Sequence, residues 1–183
     1  MNKICIELYC GNKKIKIGIL EDDSILREAI VKFLELTDNF IVTFSFGRMD
    51  ELLLHSVDYQ TNVVLLDLHL RDGLSIENIF SIHKLMPFSK VIILTGDEDE
   101  QLLLKAIENG AASYITKPVS MNFLVDTINK TITNNSYLNN ETTQKLIKAL
   151  KRRKINEFEE GDVKLTFTQK KVLKLIESAY SYK

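Results

Sequence analysis

Short apolar runs alternate with stretches of helical periodicity along the first 134 residues, regularly enough to predict the elements one by one. Ile15–Leu20 is an apolar run of strand length. Behind it Ile25, Leu26, Ala29, Ile30, Phe33 and Leu34 recur at the spacing of one helix face across Ser24–Leu36. Ser24, with Arg27 and Glu28 behind it, is the expected cap of that helix. Phe40–Phe46 reads as a second strand and Asp50–Ser56 as a short helix, and Val63–Leu66 is the most hydrophobic strand. Arg71-Asp72-Gly73 turns into a helix over Ser75–Met86, which Pro87 stops because the residue before a proline is pushed out of the helical region. Val91–Thr95 leads through the acidic loop Asp97-Glu98-Asp99-Glu100 into a helix over Gln101–Asn109, with Gly110 at its C-terminal cap. Ser113–Thr116 and a helix over Ser120–Thr133 complete five strand–helix units.

Strands that are apolar throughout, rather than alternating, argue for a parallel sheet covered on both faces. Right-handed crossovers then bring every strand's C-terminal end to one edge, where ligands bind in such sheets, near the switch in strand order. Glu21-Asp22-Asp23 closes the first run, Asp67 the third, Thr95 the fourth and Lys117-Pro118 the fifth. Taken alone, an Asp after a strand is most often a turn residue or a helix cap. A Lys-Pro or a Thr-Gly is most often just a loop. Their joint occurrence at matching strand ends is what makes them a site.

Carboxylates at neighbouring strand ends repel one another, and a hard divalent cation compensates. Mg²⁺ takes a few carboxylate oxygens and completes its octahedron with water and phosphate. A carboxylate beside such a metal can attack phosphorus and form an acyl phosphate. Lys117 would offer a point charge to the phosphoryl oxygens, and the Thr95 hydroxyl a movable donor.

Composition narrows the class without identifying the chemistry. The 183 residues, 45% hydrophobic and 27% charged, suit one full domain and a smaller piece. Net charge is −1, unevenly spread: residues 1–140 hold 13 Lys and Arg against 19 Asp and Glu, residues 141–183 hold 11 against 6. A basic tail is compatible with nucleic acid, but solvated helix faces give the same balance, and that plainer reading is favoured for the tail alone. Cys5 and Cys10 form neither a zinc set nor a disulfide framework. No apolar run approaches the ~20 residues that span a membrane, and Met1–Lys14 lacks a signal-peptide core. These features predict a cytoplasmic chain with reduced thiols and no membrane partner.

The motifs in series carry a resemblance. Ile19-Leu20-Glu21-Asp22-Asp23, Val64-Leu65-Leu66-Asp67-Leu68-His69-Leu70-Arg71-Asp72-Gly73, Val91-Ile92-Ile93-Leu94-Thr95-Gly96 and Gly110 through Pro118 together resemble the receiver domain of two-component response regulators, over residues 15–134. The resemblance implies an α/β, flavodoxin-like fold with a five-stranded parallel sheet in the order 2-1-3-4-5. It implies that Asp67 is the phosphoacceptor, served by a sensor histidine kinase. Glu21 and Asp22 would hold Mg²⁺ with Asp67 and the backbone carbonyl of His69, leaving Asp23 a spare carboxylate. Lys117, with a cis bond to Pro118, would bind the phosphoryl group, and Thr95 and Tyr114 would form the switch pair, by population shift between two packings. Homodimerisation through the fourth and fifth units is a common choice in the family. Arg71 stands where the family often has Pro. The His69 side chain would face the phosphoryl group and tune its lifetime, or simply be an exposed loop histidine.

Beyond Asn134-Asn135 the chain predicts a Lys-rich helix over Glu141–Ile155 with Leu146, Ile147, Leu150 and Ile155 on its apolar stripe, then a hinge over Asn156–Asp162. Thr166 and Gln169 form a capping box for a last helix over Leu165–Tyr180. This tail resembles the linker and first helix of a LuxR-type helix-turn-helix output domain. The expected division is an extension over 1–14, a receiver over 15–134, a helical linker over 135–162 and the first helix of a truncated output domain over 163–183. The recognition helix, which reads the major groove, has no counterpart in these residues, so DNA binding is expected only with a full output domain. The resulting expectation is a phosphorylation-activated regulator of transcription that catalyses only its own phosphoryl transfer and dephosphorylation. A receiver acting through protein contacts alone is the alternative. A haloacid-dehalogenase-like hydrolase wants a second Asp two residues after the first, where His69 stands, and no GK[ST] loop suggests a nucleotide hydrolase.

Overall fold

The computed structural model describes residues 14–55 and 60–160, together with Val172 and Lys174. Five parallel strands form the central sheet: β1 (Ile15–Leu20), β2 (Phe40–Phe46), β3 (Val63–Leu66), β4 (Lys90–Thr95) and β5 (Ser113–Thr116), in the spatial order β2-β1-β3-β4-β5. That is the expected order 2-1-3-4-5. The helices are α1 (Ser24–Glu35), α2 (Met49–His55), α3 (Asn78–Leu85), α4 (Glu100–Glu108), α5 (Met121–Asn134) and α6 (Asn140–Glu160). A small antiparallel hairpin pairs His69–Leu70 with Gly73–Leu74 just after β3.

Successive side chains of a strand point to opposite faces, and the apolar strands divide accordingly. Ile17, Ile19, Val63, Leu65, Ile92, Leu94 and Ile115 pack with Ile30 and Leu34 of α1 and Leu124 and Ile128 of α5. Leu20, Val64, Leu66, Val91 and Ile93 pack on the other side with Leu52, Ile79, Ile82, Leu103 and Ile107. Gly18 belongs to this second side, and the Phe44 ring lies where its side chain would stand.

Several local expectations shift. The cap of α1 is Asp23 rather than Ser24: its Oδ1 accepts from the backbone N–H of Ile25 and of Leu26. The buried stripe of α1 is narrower than periodicity suggested, since Ile25 is 81% exposed and Ala29 is exposed as well. Helix α3 begins at Asn78 because Ser75 and Ile76 are spent on turn hydrogen bonds to Asn78 and Ile79. Gly110, φ +104°, follows α4 in a conformation that suits glycine, and its neighbour Ala111 donates back to Ala106.

The largest departure is α6. It runs to Glu160, through most of the expected hinge, because nothing in Asn156–Glu160 breaks a helix before Gly161. Its seat is formed by Thr142, Thr143, Leu146 and Ala149, all buried, with Ile147 and Leu150 only half-buried. The extension (save Lys14), Cys5, Cys10 and the capping box Thr166–Gln169 lie outside the described residues. So does the helix over Leu165–Tyr180, apart from Val172 and Lys174.

Candidate functional site

Strand register sets the site. Leu20 pairs with Leu66 and Leu66 with Ile93, so β1, β3 and β4 end at nearly one level. The Asp67 N–H continues the ladder by donating to the Leu20 carbonyl at 2.8 Å, and the Lys117 N–H donates to the Thr95 carbonyl at 2.7 Å. The edge lies where strand order reverses between β1 and β3, the location expected for ligands in open α/β sheets.

Glu21, Asp22 and Asp67 come together: ligand oxygens of all three lie within 4.8 Å of one another. Glu21 and Asp67 are buried and Asp22 is half-buried. Lys117, joined to Pro118 by a cis bond, sets its Nζ 2.9 Å from Asp67 Oδ2 and 2.6 Å from Glu21 Oε2. The first contact is a hydrogen bond; the second is a close ion pair at poor angle, so the buried Glu21 Oε2 has no hydrogen-bond partner. Asp67 Oδ1 accepts from the backbone N–H of His69 at 3.2 Å.

Burial dominates the electrostatics of Glu21. It pushes the carboxyl up to about 7, Lys117 opposes the shift and the Asp67 charge adds to it. Burial alone would lower Lys117, but the Glu21 and Asp67 carboxylates against its Nζ hold it above the ordinary lysine range. A lone ammonium among three carboxylates leaves the cluster electron-rich and oxygen-lined. A buried carboxylate oxygen without a hydrogen-bond donor, inside an all-oxygen set, fits a hard cation such as Mg²⁺.

Thr95 is fully buried, and its Oγ1 accepts from the Asp97 N–H at 3.1 Å. Tyr114, also buried, donates its hydroxyl to the Asp97 carbonyl at 3.2 Å. His69 Nε2 lies 3.2 Å from Asp97 Oδ2, so its ring turns to this loop in an exposed position. Burial raises the Tyr114 hydroxyl well above the ordinary tyrosine value, so it stays a donor.

Two parts of this arrangement escaped the sequence reading. Asp97, taken only as one acid of a loop, connects Thr95, Tyr114 and His69; no local pattern announces that. Arg27 donates to the Glu21 carbonyl at 2.5 Å and reaches the Asp22 carbonyl at 3.5 Å, fixing the backbone of the acidic pair. Its position in the first turn of α1 was the available signal. Asp23 turns from the acids to cap that helix, which is why it is spare.

Comparison with known proteins agrees with this geometry. The model of the response regulator receiver domain matches residues 17–129. LnrK, a transcriptional regulatory protein of Bacillus subtilis, is 28% identical over 170 residues, which cover 91% of this chain and 77% of LnrK. The response regulator VraR of Staphylococcus epidermidis is 26% identical over 167 residues, covering 91% of this chain and 78% of VraR. Among solved structures, a CheY-like receiver domain from Methanospirillum hungatei is 26% identical with a TM-score of 0.61, covering 67% of this chain and 96% of that one. A two-component response regulator of the LuxR family from Aurantimonas superposes with a TM-score of 0.66 at 22% identity, covering 74% and 97%. These relatives are signalling proteins rather than metabolic enzymes. No helix among the described residues is long and apolar enough to cross a membrane. With the family model spanning more than half of the sequence, and strand order in agreement, this chain belongs to the response regulator receiver domain family.

Proposed function

We propose that the chain is a phosphorylation-activated response regulator in which Asp67 accepts a phosphoryl group from the phosphohistidine of a sensor histidine kinase. The observation that carries this reading is the buried Asp67 carboxylate held 2.9 Å from Lys117 in a mouth shared with two further acids. Attack of one Asp67 oxygen on phosphorus breaks the P–N bond and forms an acyl phosphate, and the kinase imidazole leaves. Lys117 draws the phosphoryl oxygens by charge. Glu21, Asp22, Asp67 and the backbone carbonyl of His69 would hold Mg²⁺, which when bound supplies charge neutralisation for the phosphoryl oxygens. Thr95 and Tyr114 carry the change outward through Asp97, to which both are hydrogen-bonded. Kinase and Mg²⁺ chemistry of this kind belongs to the cytoplasm.

The output is control of transcription through a DNA-binding domain. That part rests on LnrK, a transcriptional regulatory protein matched over 77% of its length. One observation favours the alternative of output through protein contacts: the tail's basic helix α6 is engaged on the receiver itself.

Intact-mass measurement after acetyl phosphate, with and without Mg²⁺, tests the phosphoacceptor. One phosphoryl adduct should form, only with Mg²⁺, and Asp67→Asn should abolish it. An adduct retained in Asp67→Asn removes the assignment.

A further inference from the structure

A second cleft opens beside the acidic mouth, and its charge has the opposite sign. It holds about 440 Å³ between the end of β2, helix α2 and the turn of the small hairpin, with Asp22 a wall of both sites. Its lining includes three arginines, Arg27, Arg48 and Arg71, against two acids, Asp22 and Glu51. Phe46, half-buried, supplies an apolar part of the wall.

The three guanidiniums differ in what already occupies them. Arg27 is fixed on the carbonyls of Glu21 and Asp22. Arg48 forks onto the Asp50 carboxylate, with Nε at 2.9 Å and Nη2 at 2.6 Å. Arg71 makes one hydrogen bond among the described residues, from Nη2 to the Asp22 carbonyl, and at 3.5 Å it is long enough to be weak. A guanidinium carries five donors, so that of Arg71 is almost wholly available. Glu51 does not claim it, because its Oε2 accepts from the Gly47 N–H at 3.0 Å. Asp22 in turn belongs to the acidic set whose oxygens lie within 4.8 Å of one another. A divalent cation held there would take up the Asp22 charge and leave the cleft with three cations against one acid.

We propose that Arg71, with this cleft, is a leaving-group subsite that favours short acyl phosphates over phosphoryl donors with a neutral leaving group. The inference rests on the phosphoacceptor reading above. When an Asp67 oxygen attacks the phosphorus of an acyl phosphate, the bond from phosphorus to the acyl oxygen breaks. Its electron pair leaves on a carboxylate, and no proton moves. The two oxygens of that carboxylate match the guanidinium fork, and the charge grows only as the bond breaks, so the contact favours the transition state. The short acyl chain would lie toward Phe46. Phosphoramidate differs at this one point: its N-protonated form loses neutral ammonia as the P–N bond breaks, and a guanidinium has no charge to meet. Phosphohistidine, which releases a neutral imidazole, falls in the same class. The phosphoryl oxygens are alike in every donor and fall to Lys117.

The test uses the full chain with saturating Mg²⁺, and intact mass gives the initial rate of adduct formation with acetyl phosphate and with phosphoramidate. The ratio of the first rate to the second should fall roughly tenfold in Arg71→Ala, the loss of one charged hydrogen bond. Arg71→Lys, which keeps the charge and loses the fork, should lie between. Arg71 is exposed, so neither change touches the core. A binding readout needs no turnover: in Asp67→Asn the Arg71 Nε–H resonance should move when acetyl phosphate is added, and move less with phosphoramidate. An unchanged ratio in Arg71→Ala overturns the subsite and leaves the phosphoacceptor reading standing. Equal movement of the resonance with both donors overturns it as well, since that would report contact with the phosphoryl group. No adduct from either donor overturns both readings.

Discussion

Replacing Glu21 by Gln should stabilise the metal-free protein, and more so as pH rises. The carboxyl is pushed up to about 7 in the fold, against an ordinary value of 4.5, chiefly by burial. A group whose folded value is raised in this way favours the native state below pH 4.5. That contribution is lost as pH climbs through 4.5 to about 7, because the unfolded chain ionises freely and the folded one does not. Each pH unit of that window corresponds to about 1.4 kcal/mol, so full ionisation of Glu21 costs the fold about 3 kcal/mol at pH 8, and under about 1 kcal/mol at pH 5. Gln has nearly the same shape and never ionises, so the difference between variant and wild type isolates this one group. Urea denaturation in EDTA should show the variant's midpoint above wild type by roughly 1–2 M at pH 8, with little difference at pH 5. Saturating Mg²⁺ should close the gap by stabilising the wild type, since only the ionised carboxylate is a good ligand. A variant less stable than wild type at pH 8, or a difference flat in pH, would show that Lys117 already compensates Glu21 fully and that burial is not the dominant cause.

Three further outcomes follow from packing and caps. Gly18→Ala would set a Cβ against the Phe44 ring, too close for that ring to keep its place, so thermal melting should show a loss of about 1–3 kcal/mol, which Phe44→Leu in the same chain should partly restore. Asp23→Ala removes the acceptor for two N–H groups of α1 and should lower stability by about 1 kcal/mol in urea titration, whereas Ser24→Ala should stay within about 0.5 kcal/mol. Leu34→Ala, at a fully buried position against the sheet, should cost about 2–5 kcal/mol, while Leu36→Ala, almost fully exposed, should be near neutral by the same measurement.

The strand ends were legible because apolar runs mark their own limits. Val63–Leu66 stops where Asp67 begins, and the observed strand has those bounds. Parallel topology then brings Glu21, Asp67, Thr95 and Lys117 to one edge with no further information. What stayed hidden depended on partners. Asp23 and Ser24 are both good capping residues, and only backbone geometry decides that Asp23 takes the role. Periodicity put Leu146 on the inner face of α6 but gave no reason to include Thr142, Thr143 or Ala149. Small and hydroxyl residues become buried only when a neighbouring helix approaches closely. The acidic loop and the basic tail were each visible as charge runs. Their pairing was not, because long-range complementarity leaves no local pattern, and solvated charge gives the same composition.

The site is also built against stability, and that supports the function more strongly than any one contact. Surface acids at strand ends would cost little if left in water, yet Glu21 and Asp67 are buried side by side. Three carboxylates face one ammonium, which leaves a surplus of two negative charges when all three are ionised. Arg27 binds the backbone carbonyls of Glu21 and Asp22 rather than their carboxylates. A group selected for stability alone would have neutral or outward side chains here, as apolar or paired replacements of buried charge are often more stable. Two missing positive charges are the charge of one divalent cation, and a bound cation would in turn make room for the negative charge of a phosphoryl group. The imbalance that weakens the resting fold is therefore the same imbalance that would make phosphoryl binding at Asp67 favourable.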